Sequence, residues 1–115
     1  MATQAEIRLR ALIKLGTGSR TETPVSYLTN DMINAYNEVY LRLQELDIAY
    51  WGQTSDVPDE VANEVAVLMA WRRVNDYGIG NDRYTRLSQE YIAAEPMIRA
   101  MSVNAYRSTS EPEDF

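Results

Sequence analysis

The stretch from Val61 to Val74 constrains the fold more than any other part of the chain. Val61, Val65, Leu68 and Met69 fall on one side of a helix, at roughly 100° per residue. Val67, Ala70, Trp71 and Val74 fall on a largely different side. A helix that is apolar on two sides must be covered from two directions. Either it lies at the centre of its own bundle or one of its covers is another subunit, and the pattern alone leaves both open. Its start is marked by Pro58, which suits the first helical position, and by Asp59 and Glu60, which suit the positive end of the helix dipole. Gly78 after Tyr77 marks its end.

Three further helices and no strand pair can be read. The first is predicted from about Gln4 to Leu15. Thr3 and Glu6 have the spacing of a capping box, and Gly16 can take the left-handed conformation that closes a helix. Its apolar arc (Ile7, Leu9, Ala11, Leu12, Ile13 and Leu15) exceeds half the circumference. The polar Thr17–Tyr27 segment, broken by Pro24, is long for a joint between helices. The second helix is predicted from about Asn30 to Leu46, with Thr29 or Asn30 as cap. Met32, Ile33, Tyr36, Val39, Tyr40, Leu43 and Leu46 form its stripe, and Leu41 alone interrupts its polar face. Asp47 to Val57 is the next connector. The fourth helix is predicted from about Arg83 to Ala105, with a stripe through Tyr84, Leu87, Tyr91, Ala94, Ile98, Met101 and Ala105. Pro96 sits inside it on the polar side, where a proline kinks a helix. The predicted architecture is all-α: a four-helix bundle with a long first connector and an extended C-terminal tail. Residues 1–106 form the helical domain and 107–115 a flexible acidic arm.

The chain has 115 residues, net charge −6, no Cys and no His. That size supports a core without staples. The missing residue types remove thiolate chemistry, the usual general base and the commonest metal ligand. No catalytic residue, metal site or cofactor is expected. Glu60 and Glu64 stand one turn apart but lack the partners of a di-metal bundle. Gly16-Thr-Gly-Ser-Arg20 lacks the strand and the Gly-Lys-Ser/Thr ending of a phosphate loop. No apolar run reaches the roughly 18 residues of a membrane span. The first residues do not read as a secretory signal, so the cytoplasm, or something assembled there, is expected.

Residues 1–55 carry net −1 and residues 56–115 net −5. The acidic balance disfavours general duplex binding. Ten of the eleven basic residues are Arg, the cation better suited to interfaces. Arg8 and Arg72 lie within the apolar arcs of their helices, as partners for a subunit salt bridge or as snorkelling side chains. Tyr36, Tyr40, Tyr84 and Tyr91 lie on core stripes. Tyr50, Trp51, Tyr77 and Tyr106 fall at helix ends or in connectors, where aromatics can anchor interfaces. Candidate subunit-interface residues are Arg8, Leu41, Trp51, Val67, Trp71, Arg72 and Val74.

A series of short motifs runs through the chain in order. Ala11-Leu-Ile-Lys-Leu15-Gly16 closes the first helix before a loose polar loop. A second helix of the form Asn-x-x-Tyr-x-x-x-Leu ends near Trp51-Gly52. Val57-Pro58-Asp59-Glu60 opens an Ala/Val-rich helix that ends in Tyr77-Gly78, and a long last helix leads into a tail. This arrangement resembles the head-to-tail adaptors of tailed bacteriophages, also called head-completion, connector or packaged-DNA stabilisation proteins. The resemblance implies a structural virion protein at the head–tail junction, assembled in the host cytoplasm. It implies a homo-oligomeric ring, commonly a dodecamer, beneath the portal protein. Such a ring extends the DNA channel, helps retain the packaged genome, passes DNA without sequence-specific binding and offers a platform to tail or further connector proteins. By the same resemblance the C-terminal arm (Tyr106, Arg107, Glu111 and Phe115) faces the portal. The Thr17–Tyr27 and Ile48–Val57 connectors are candidates for tail-side or neighbour contacts. An alternative expectation is a small helical regulatory or nucleic-acid-binding module. Another is a helical enzyme subunit without its own active site.

Overall fold

The computed structural model describes residues 1–17 and 26–110, and the side chains of all of these up to Val103. The described chain is all-helical: α1 (Gln4–Lys14), α2 (Ser26–Glu45), α3 (Asp59–Arg72) and α4 (Asn81–Ser110), with a 3₁₀ turn at Val74–Asp76 after α3. The only extended pairing among the described residues is a two-residue bridge. Ala2 and Val57 exchange backbone hydrogen bonds of 2.8 Å in each direction, which ties the chain start to the entry of α3.

Helix α1 begins and ends as its sequence predicts. The Thr3 hydroxyl accepts from the Glu6 amide at 3.2 Å. The Glu6 carboxylate turns to the Thr3 hydroxyl at 3.2 Å, so the reciprocal half of the box closes on the side chain and not on the backbone. At the other end Gly16 takes φ +82°. Its amide bonds to the Ile13 carbonyl and that of Thr17 to the Leu12 carbonyl. This paired pattern is a Schellman closure, which satisfies carbonyls that the helix itself leaves open.

The other helix ends depart from the sequence reading, and packing explains why. Helix α2 starts at Ser26, four residues before Asn30, because Leu28 packs on the core one turn ahead of buried Met32. Helix α3 stops at Arg72, five residues before Tyr77. Arg73 leaves helical geometry at φ −111°, ψ 7°, and the chain tightens into the 3₁₀ turn. Pro58 is the residue before α3 and not its first residue, with an extended ψ of 137°. Helix α4 starts at Asn81 and outruns Ala105 as far as Ser110. No Gly or Pro interrupts it there. Helix α4 continues through Pro96, where the ring deprives the Ile92 carbonyl of its donor on an exposed side.

Helix α3 packs against α1, α2 and α4. Val61, Ala62 and every residue from Val65 to Ala70 are buried within the single chain. Both apolar sides of this helix are therefore covered from inside: it is central in its own fold. Complete burial of a Val, Leu or Met side chain is worth about 1.5–3 kcal/mol, so α3 concentrates much of the stability. Of the first connector, residues 18–25 lie outside the described residues.

Candidate functional site

Two features converge where α2 meets the end of α3: a charged clamp and, beside it, an aromatic cleft. The clamp grows from the early end of α3. The Arg73 side chain is only 15% exposed. It donates to both Glu38 oxygens at 3.1 and 2.9 Å and, through Nε, to Asp31 at 2.9 Å. Arg72 adds a bond from its Nε to Glu38 at 2.7 Å. The Tyr77 hydroxyl donates to the second Asp31 oxygen at 2.7 Å. Asp31 and Glu38 sit seven residues apart, two turns along one face of α2. One side of α2 is thereby fastened to three side chains around the α3 exit.

The electrostatics follow from that geometry. The hydrogen bonds of Arg73, then of Arg72, hold the Glu38 carboxyl well below its ordinary range, at about 2. Burial and the bond to Asp31 push the Tyr77 phenol up. The bond to Glu38 raises Arg73 further. Glu38, Arg73 and Tyr77 are thus each held in one charge state near neutrality. Such a set holds two helices in register and does not move protons.

Helices α2 and α4 stand on either side of α3, and the space between them forms a cleft of about 350 Å³. Val39, Leu43 and Leu68 supply apolar walls, Trp71 and Tyr91 the aromatic ones, and Arg42 reaches Glu95 across the gap at 3.4 Å. Trp71 stacks on Tyr91 with ring centres 5.0 Å apart and planes at 18°. Tyr84 lies tilted against Trp71, ring centres 5.3 Å apart. The cleft can take an apolar or aromatic side chain with one polar group at the rim. Among the described residues, no three of Asp and Glu converge as a metal site, and no helix is long and apolar enough to cross a membrane.

The residues singled out in the sequence divide clearly. Trp51, Val67 and Val74 belong to the core of the single chain and offer no free surface. Trp51 is held there by a bond from its Nε1 to the Tyr36 hydroxyl, at 3.0 Å, and by the Tyr40 hydroxyl, which donates to its carbonyl. Arg72 pairs with Glu38 of its own chain. Tyr50 and Tyr77, considered as interface anchors, bond Glu60 and Asp31 respectively. Tyr84, placed on the core stripe by its spacing, is 42% exposed. Trp71 and Arg8 are half-buried and Leu41 is exposed. Tyr106 and Arg107 lie on the backbone of α4, while Glu111 and Phe115 lie outside the described residues.

Sequence reading missed Arg73, Asp31 and Glu38. It also missed the outward row on α4, where Ile92 is 70% and Val103 51% exposed. Eleven residues separate these two, which brings them within about 20° of the same face. Pro96 and Arg99 lie between them on that side, also exposed. A stripe search follows the buried face and passes over apolar residues opposite it. In comparisons with known family models, curated proteins and solved structures, the chain matches none.

Proposed function

We propose that this protein is a structural component of a tailed bacteriophage, a head-to-tail adaptor that rings beneath the portal. In this reading the helices form a four-helix bundle with a long first connector. The ring extends the DNA channel, helps to retain the genome and presents a platform to tail or further connector proteins. The arm from Tyr106 through Arg107 and Glu111 to Phe115 docks on the portal. No catalytic step or cofactor is invoked.

The motif series from Ala11-Leu to Tyr77-Gly78 suggests the reading. The observation that carries it furthest is the exposed row Ile92, Pro96 and Val103 on a helix of 30 residues, more than twice the 14 of α3 on which it packs. Part of such a helix has no α3 beside it, and apolar side chains are left facing outward. In this reading the row is a surface that assembly covers. Leu41 on α2, 51% exposed, adds a second outward apolar point. A subunit with such surfaces on different helices suits heterologous contacts that close into a ring.

The test is native mass spectrometry of the protein mixed with the portal dodecamer encoded beside it. A complex carrying a full ring of copies is expected at micromolar concentration, and Ile92→Asp with Val103→Asp is expected to abolish it while the monomer keeps its helicity. No complex with that portal would overturn the reading.

A further inference from the structure

A second surface lies where α1 runs beside the first turns of α4. Its charge is opposite to that of the chain as a whole. Lys14 reaches Glu90 at 3.0 Å, and the Arg83 guanidinium donates to the Ile13 carbonyl at 3.2 Å. Arg86 lines the same hollow, and Arg10 lines a second hollow that shares Ile13 and Lys14 with it. The hollow of about 220 Å³ lies between α1 and α4, that of about 520 Å³ between α1 and Asn63 of α3, and the two adjoin at Ile13 and Lys14 as a trough along α1. Four basic and two acidic residues line it, giving net +2 in a chain of net −6. Among the described residues, Arg10 and Arg86 have no carboxylate within ion-pair distance. Leu9 and Ile13, half-buried, supply an apolar floor between the cations.

The sequence contains a segment complementary to this trough. Residues 111–115 read Glu-Pro-Glu-Asp-Phe: three carboxylates followed by an aromatic ring. We propose that residues 111–115 of one copy dock in the trough along α1 of a second copy, the carboxylates meeting Arg10, Lys14 and Arg86 and Phe115 covering Leu9 and Ile13.

At Lys14 and Arg86, reach decides that the contact is between copies. Helix α4 runs unbroken to Ser110. From Glu90, which holds Lys14, to Ser110 is about 30 Å along the axis, and from Arg86 about 36 Å, at ~1.5 Å per residue. Five extended residues span at most about 18 Å. Phe115 and the acidic residues before it therefore fall short of Lys14 and Arg86 in their own chain. A neighbour's trough carries no such restriction. The contact joins unlike surfaces of two copies, so it propagates head to tail and closes only where the rotation allows. It needs no portal and stands apart from the reading above: a portal would compete for the same arm.

The experiment uses the full chain alone. Two charge-reversed proteins are made, Arg10→Glu with Arg86→Glu, and Glu111→Arg with Glu113→Arg, and circular dichroism checks that both stay folded. Sedimentation equilibrium at low salt should show the unaltered protein self-associating. Each reversed protein should associate at least tenfold more weakly, and an equimolar mixture of the two should regain association, because each then offers the charge the other needs. About 0.5 M salt should weaken all of these contacts. A labelled peptide of residues 109–115 should bind the unaltered chain and not the Arg10/Arg86 protein. An unaltered protein that stays monomeric to sub-millimolar concentration would overturn the proposal. So would reversals without effect, a mixture that fails to restore association, or a trough that takes duplex DNA and refuses the peptide.

Discussion

Asp47 holds φ +60°, the left-handed region that side chains with a Cβ rarely enter, just past the end of α2. Its amide bonds to the Gln44 carbonyl and that of Ile48 to the Leu43 carbonyl. The closure is the one Gly16 makes after α1, but here an acidic residue occupies the glycine position. Its charge also faces the negative end of the helix dipole. Asp47→Gly removes both penalties and should raise stability by about 0.5–1 kcal/mol, read as a higher urea midpoint at an unchanged slope. The reverse holds at Gly16, where an added Cβ would lie 3.1 Å from the Arg83 Nε at φ +82°. Gly16→Ala should therefore cost about 1–2 kcal/mol. Arg73 carries the largest single polar role. Arg73→Ala removes bonds to both Asp31 and Glu38. Since Tyr77 and Arg72 still reach those carboxylates, the loss should be about 1–2 kcal/mol, less than for an orphaned buried charge. Arg73→Lys should recover only part of it, because an ammonium cannot reproduce the two-pronged bond.

At the scale of elements, Pro96 is the clearest conflict between residue and structure. It sits inside α4, exposed, with the Ile92 carbonyl left to solvent. Pro96→Ala should raise the melting temperature, by a gain somewhat below the ~3 kcal/mol that proline costs a helix interior, since Ile92 and Pro96 are exposed. Met69 gives the opposite case. It is fully buried on α3, and Met69→Ala should cost about 2–5 kcal/mol. The same contrast explains what could be read in advance. Caps are local, so Thr3 and Gly16 announced α1, and the two-sided apolar pattern required covers for α3 without naming them. The clamp was out of reach because Arg73 and its partners lie 35 and 42 residues apart, and spacing along one helix carries no pairing information. Trp51 looked like a loop aromatic. Its burial depends on Tyr36 and Tyr40 presenting hydroxyls from α2, with Tyr50 set edge-on at 5.3 Å. The start of α2 and the end of α3 moved for the same reason: contacts made by Leu28 and Arg73 outweigh local signals.

For the molecule as a whole, charge sets the response to acid. With no His, nothing of that type titrates near neutrality, and the sequence pI is about 4.6. Self-repulsion between copies is smallest near that pH, so precipitation is expected to peak there. The clamp behaves differently. Glu38 is held at about 2 in the folded chain against an ordinary 4.5. A carboxyl depressed on folding contributes stability in full above its unfolded value, and the contribution fades as the pH falls through the folded one. The α2–α3 joint should therefore be intact at the pI and weaken progressively between about 4.5 and about 2. Because Glu38 is 39% exposed, solvent screening makes that contribution smaller than the shift alone would suggest. Urea unfolding at a series of pH values checks it. In Glu38→Gln, a neutral amide replaces the carboxylate, so stability should be lower at neutrality and fall less steeply across that window. Equal slopes in the two proteins would show that other carboxylates govern acid unfolding and that the Arg73 joint does not sense pH.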